Sequence, residues 1–151
     1  MGTNFDKDLK IGNLVEEIIA KHLKKEFPTI RAHKKKSSEY DLIDDDGYTF
    51  EVKWDRMSEE TPNTVVEYYC NRKPSGISTT KAIEWIQVYY LDHNWVFSRM
   101  TTNDLKAYLH NNFEFFHTGR GGDGNRARLI FLDKDDFATE FDFTTLKAKT
   151  Q

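Results

Sequence analysis

Asp41, Glu51 and Lys53 are the residues whose types and spacing point most directly to chemistry. They lie in a segment where two β-prone runs, residues 40–43 and 48–54, flank Asp44-Asp45-Asp46-Gly47. Asp-Gly is a strong short hairpin signal, so the chain is expected to fold back there and bring Asp41 beside Glu51. Side chains alternate faces along a strand, which sends Glu51 and Lys53 one way and Phe50, Val52 and Trp54 the other, toward a core. Two carboxylates so placed suit one divalent cation. Mg2+ fits best, with Mn2+ as a substitute, because this hard ion takes few protein carboxylates and completes its shell with water and phosphate. Lys53, on the face of Glu51, would orient or deprotonate an attacking water, or stabilise charge growing on a phosphate. The turn itself accounts for Asp44, Asp45 and Asp46, since Asp in turns bonds its own backbone. Taken alone, Asp41, Glu51 and Lys53 also fit a hairpin with ordinary surface charges.

The element that would complete the group is N-terminal. Ile11, Leu14, Val15, Ile18, Ile19 and Leu23 recur at helical spacing and form one apolar stripe, predicting an amphipathic helix over residues 6–25. At about 100° per residue, Glu17 falls on the polar side with Lys21 and Lys24, whereas Glu16 lies at the stripe's edge beside Gly12, Ile19 and Leu23. Glu16 is therefore either an acid turned toward the sheet or a boundary residue whose carboxylate reaches water.

Gly12-x-x-x-Glu16 on a first helix, Asp41 opening a strand, and Glu51-Val-Lys53 on the next strand resemble, in residues and in order, the PD-(D/E)XK nuclease superfamily. The resemblance spans about residues 6–90 and departs at its first letter, where Tyr40 occupies the proline position. It implies an α/β fold with a restriction-endonuclease-like core: a central mixed β-sheet flanked by helices in the order αβββαβ, here with a C-terminal helix and strand extension. It also implies a Mg2+-dependent endodeoxyribonuclease that leaves 5′-phosphate and 3′-hydroxyl ends. Asp41 and Glu51 would hold the metal, Glu16 would complete its shell directly or through water, and Lys53 would serve the nucleophilic water. Small members of the superfamily include phage nucleases, Holliday-junction resolvases and restriction enzymes. Several of these pair subunits, so a homodimer or larger homo-oligomer is expected by resemblance. The rival reading is a nucleic-acid-binding or assembly module that keeps the fold without cutting.

Further along, residues 64–70 alternate as a strand, residues 71–76 form a turn, and a short helix is expected over 77–82. Residues 84–91 read as a buried strand and 95–98 as the start of its return. Thr102-Asn103-Asp104 offers capping oxygens for a helix running to about Asn112. The glycine-rich stretch 119–126 lacks the Lys-Ser/Thr ending of a phosphate-binding loop. It reads either as a loop gripping DNA or as a plain hairpin connection into a strand over 127–132. Phe137, Phe141 and Phe143 are taken as packing.

A total of 22 basic against 25 acidic residues gives a formal charge of −3, unhelpful for holding a polyanion, so any DNA contact must rest on local clusters. The candidates are Lys34, Lys35 and Lys36, then Arg72, Lys73 and Lys81, then Arg120 and Arg126, each set against ordinary surface solubility. The dipole of the preceding helix explains Lys24 and Lys25. A length of 151 residues without repeat or linker predicts one domain over the whole chain. A single cysteine, Cys70, forms no internal disulfide or zinc-ligand pattern. With neither a signal segment nor an apolar run near membrane length, the expectation is a cytoplasmic protein without membrane contact.

Overall fold

The computed structural model describes the backbone of residues 3–33 and 40–146, with the side chains of 12–33, 40–122 and 124–146. Helix α1 (Thr3–Leu23) opens the fold. Among its described side chains Val15, Ile19 and Leu23 are buried, and Leu14 is 52% exposed. The apolar stripe is thus one residue per turn, narrower than the periodicity suggests, and Leu14 lies off it. Lys34, Lys35 and Lys36 lie outside the described residues.

Three strands follow as an antiparallel meander: β1 (Arg31–Ala32), β2 (Leu42–Ile43) and β3 (Thr49–Trp54). The turn between β2 and β3 is closed by Asp44, whose Oδ1 accepts from the N–H groups of Asp46 at 3.0 Å and Tyr48 at 2.9 Å. Its side chain is spent on the backbone, as turn chemistry predicts. The register sets Leu42 against Phe50 and Ile43 against Thr49.

The chain then leaves the sheet. A 3-10 turn (Arg56–Glu59), strand β4 (Asn63–Cys70), short β5 (Lys73–Pro74) and a second 3-10 turn (Gly76–Ser78) lead to β6 (Glu84–Leu91), which pairs parallel to β3. The helix expected over 77–82 is absent; a single tight turn stands there, and β4 carries the crossover instead. β7 (Asn94–Thr101) returns antiparallel to β6, and α2 (Thr102–Asn111) starts one residue after its cap, Thr101, whose side chain accepts from the Asp104 N–H.

β8 (His117–Gly121) and β9 (Ala127–Asp133) form a hairpin, so the glycine-rich stretch is largely strand and turn. Its glycines have a packing reason: a Cβ on Gly119 would meet the Phe131 ring at 2.6 Å, and one on Gly121 would meet Leu129 at 2.5 Å. Asp133 caps a helix the sequence reading did not include, α3 (Lys134–Phe141), by accepting from the Asp136 N–H at 3.0 Å. β10 (Thr144–Thr145) closes the described chain. Phe137 is buried, whereas Phe143 is half exposed.

The result is mixed α/β with two sheets: a mixed one in the order β1-β2-β3-β6-β7-β10, and an antiparallel one in the order β5-β4-β9-β8. β6 is covered on both faces, which explains its almost unbroken burial. Ile86 and Val88 join Phe50, Val52 and α1 in one core; Trp85, Tyr89 and Leu91 join Val66, Ile130, Leu105 and Phe137 in the other. Glu51 and Lys53, opposite in facing to Phe50 and Val52, therefore look toward the second sheet. Among the described residues no helix is long and apolar enough to cross a membrane.

Buried polar groups tie the sheets together. Gln87 on β6 accepts from Trp85 Nε1 at 2.9 Å and donates to Thr64 Oγ1 and the Val65 carbonyl of β4, each at 2.8 Å. Asp55, just past β3, accepts from Thr64 Oγ1 at 2.7 Å and the Val65 N–H at 2.9 Å. Each partner stranded without water or protein costs about 1–3 kcal/mol. Gln87→Leu is expected to destabilise the fold by about 2–4 kcal/mol in urea unfolding; a loss below about 1 kcal/mol would show the sheets do not depend on this clamp.

Candidate functional site

The ladder between β2 and β3 ends at the Leu42–Phe50 pair, and Asp41 stands just before it. The Asp41 N–H donates to the Phe50 carbonyl at 2.8 Å, a bond offset by one residue from that register. Its side chain then takes over a rung: Oδ2 accepts from the Val52 N–H at 2.8 Å. This bond turns the Asp41 carboxylate toward β3, within hydrogen-bonding reach of Glu51. Next along the same face, Lys53 Nζ lies 3.0 Å from Glu51 Oε2. The other Glu51 oxygen accepts from Thr80 Oγ1 at 3.3 Å. Glu16 comes from α1, and the charges of Asp41, Glu51 and Lys53 all act on it. Thus the structure brings Glu16, Asp41, Glu51 and Lys53 to one place.

Crowding three acids around one ammonium group alters their proton affinities. Burial first, and then the charges of Asp41 and Glu51, push Glu16 up to about 7, with Lys53 partly offsetting them. Asp41 is pushed up to about 6 by burial and by Glu51, against the opposing Val52 hydrogen bond. For Lys53, burial disfavours the charge, but Glu51, then Asp41 and Glu67, outweigh it and raise its pKa. Lys53 is therefore an ammonium ion at neutral pH, suited to orienting water and stabilising charge rather than to removing a proton.

Burial first, and then the neighbouring charges, hold Glu16 and Asp41 above the usual carboxylate range, a penalty that a divalent cation would relieve. Asp41 and Glu51 could supply the carboxylates that magnesium takes from protein. Among the described residues no group of three acidic, histidine or cysteine side chains is placed to hold a metal ion.

No family model and no curated protein matches the chain.

Two contributors escape the sequence reading. Glu67, on β4, acts on Lys53 and lines with it a cavity of about 410 Å³ that also includes Trp85 and Gln87. Thr80, in the irregular approach to β6, braces Glu51. Alternation along β4 marks the face of Glu67, but only packing between sheets shows that this face meets Lys53.

The predicted phosphate contacts fall in separate places. Lys81 is exposed beside Thr80 and lines a groove with Thr102 and Lys106. Arg72, Arg120 and Arg126 meet, with Arg128, around another cavity; Lys73 is exposed on β5 and is not among that cavity's lining residues. Of the aromatics whose rings could stack on unpaired bases, Tyr68 and Phe116 pack on the core, Phe115 is exposed, and the Tyr69 ring lies under Arg128.

The raised carboxyls predict a pH profile. The folded, metal-free protein holds protons on Glu16 and Asp41 that the unfolded chain releases at about pH 4, so it binds more protons across the window from there to about 7. Stability must fall as pH rises through that window. Thermal melts in EDTA are expected to show this decline, and Asp41→Asn or Glu16→Gln to flatten it. An unaltered profile in both variants contradicts the electrostatic description.

Proposed function

We propose that the chain is a metal-dependent endodeoxyribonuclease of the PD-(D/E)XK type. The observation that carries this reading is the electrostatic contact among Glu16, Asp41, Glu51 and Lys53, with the Asp41 carboxylate turned onto β3 and Lys53 bonded to Glu51. The strand order agrees: a meander of three strands after a helix, and then β6 parallel to β3. The crossover differs from the family pattern in carrying β4 rather than a helix.

Asp41 and Glu51 would hold Mg2+, which when bound supplies Lewis-acid neutralisation of phosphate charge. The chain's own groups do the rest. The Lys53 ammonium donates to a phosphate oxygen or to the incoming water, and Thr80 keeps Glu51 from turning away. Glu16, held among these charges by α1, would take up the proton that the water releases as its oxygen attacks phosphorus. The bond from phosphorus to the 3′-oxygen breaks, the 3′-oxygen takes a proton from solvent, and the phosphate stays on the 5′ end. Glu67 on the far side of Lys53 helps keep that side chain charged.

The second reading, a nucleic-acid-binding module without catalysis, draws on the 3.0 Å pair of Glu51 and Lys53, which is a sufficient structural contact by itself. It leaves the crowding of Asp41 and Glu16 without a purpose, since like charges gathered this way disfavour the fold. Plasmid nicking with and without magnesium separates the two. The nuclease reading expects Glu51→Ala and Lys53→Ala each to lower the cleavage rate by about a hundredfold or more, with DNA binding largely kept. Equal cleavage by wild type and both variants, or none by pure wild type over DNA, branched DNA and RNA substrates, rejects it.

A further inference from the structure

The second sheet carries a concentration of positive charge that the carboxylate group does not use. Tyr69 on β4 lies opposite Arg128 on β9, and Arg128 lies opposite Arg120 on β8. Directly opposed residues on neighbouring strands share a face, so one aromatic ring and two guanidinium groups form a row across three strands. Arg128 rests over the Tyr69 ring, 5.8 Å from its centroid, a cation–π contact that orients it. Gly119 and Gly121 flank Arg120 and let Phe131 and Leu129 cover the other face.

At the end of this row two turns add charge. Asn71 and Arg72 form the two-residue turn between β4 and β5 with φ of 52° and 64°, and Arg126 follows the turn that begins β9. The side chains of Arg72, Arg120, Arg126 and Arg128, with Tyr69 and Asn71, line a cavity of about 490 Å³. Among the described residues no carboxylate forms an ion pair with any of the four arginines. By contrast Arg99, in the core sheet, is held by both Glu84 and Glu26. The fold therefore tolerates two unfavourable placements here: arginines directly opposed across a ladder, where like charges repel, and an arginine at a left-handed turn position that favours glycine.

An anion between the guanidinium groups relieves the first and gives the second a purpose. Planar guanidinium donors match phosphate oxygens in pairs. We propose that this cavity is a phosphate-binding subsite that grips the backbone of a nucleic-acid strand outside the carboxylate group. It rests on the nuclease reading for the identity of the polyanion, and it shares no lining residue with the Lys53 cavity. The register shifts between Glu67 and Tyr69, so Glu67 pairs with Leu129, which lines the Lys53 cavity, whereas Tyr69 pairs with Arg128 on the opposite face of β9. The subsite therefore stands on the other face of the second sheet from the carboxylate group.

The test is binding of a short fluorescent DNA duplex to the full chain in EDTA, followed by anisotropy over a range of salt, for wild type, Arg72→Gly, Arg120→Gln, Arg126→Gln and, as a remote control at an exposed position of α3, Glu140→Gln. Each arginine substitution is expected to weaken binding several-fold and to reduce the slope of log affinity against log salt by about one. Glu140→Gln should keep the wild-type slope. Arg72→Gly controls for folding, because glycine suits the turn: its melting temperature should equal or exceed that of wild type while its binding drops. Wild-type affinity and slope in all three arginine variants, or no measurable binding by wild type, overturns the subsite. Loss of slope in the variants with no magnesium-dependent cleavage by wild type leaves the subsite standing and removes the nuclease reading. Cleavage by wild type with slopes unchanged in the variants does the reverse.

Discussion

The register of one hairpin governs the site. Pairing Leu42 with Phe50 sets the face of every β3 side chain, and because side chains alternate, a slip of one residue would turn Glu51 and Lys53 into the α1 core and expose Phe50 and Val52. Two local devices hold the register. Asp44 closes the turn with its own carboxylate, and Phe50, wholly buried against Phe27 and Tyr48, anchors the apolar face. Asp41 then substitutes a side-chain oxygen for the next backbone acceptor. That bond favours the ionised carboxylate while burial and Glu51 oppose it, so the geometry that completes the ladder is also what crowds the charges.

The turn and the faces are legible in the sequence because they are local. Asp-Gly marks the turn and alternation marks the faces, whereas the exact register is not readable, because it depends on the packing of Phe50. β6 is legible for a related reason: a short run of large apolar residues with no alternation is what a strand covered on both sides requires. Helix α3 has a local signal too, since Asp133 stands three residues before Asp136, whose N–H it caps. The run of Phe137 and Phe141 drew the reading toward strand packing instead.

The second sheet is not legible, for a physical reason. β4 pairs with β9, Asn63 against Asp133, and nothing within either strand states which distant strand completes its hydrogen bonds. The strand over residues 64–70 is legible from its alternation and stands as β4, but a parallel crossover commonly carries a helix, and the one expected over 77–82 does not form. Here β-branched and aromatic residues in β4 and a polar clamp from Gln87 and Asp55 settle the crossover as a strand. Glu67 reaches Lys53 only through that packing, and the arginines of three separate segments meet only because β8 and β9 join β4.

On the nuclease reading, a chain with a formal charge of −3 would face a conflict in holding a polyanion, because carboxylates placed to bind a cation also repel phosphate. Salt screens exposed charges over about 8–10 Å, so distance and composition would resolve the conflict. The carboxylate group carries its own ammonium, Lys53, and raised proton affinities that lower its negative charge before any cation arrives. The arginines stand on another part of β4 and its neighbours, where no described carboxylate pairs with them. Elsewhere the fold pairs the partly buried Arg99 fully, with Glu84 and Glu26 closing on it. Leaving four guanidinium groups together while neutralising that one is a pattern expected of a surface kept for an external anion, since a purely structural arginine gains most from the pairing that Arg99 already has.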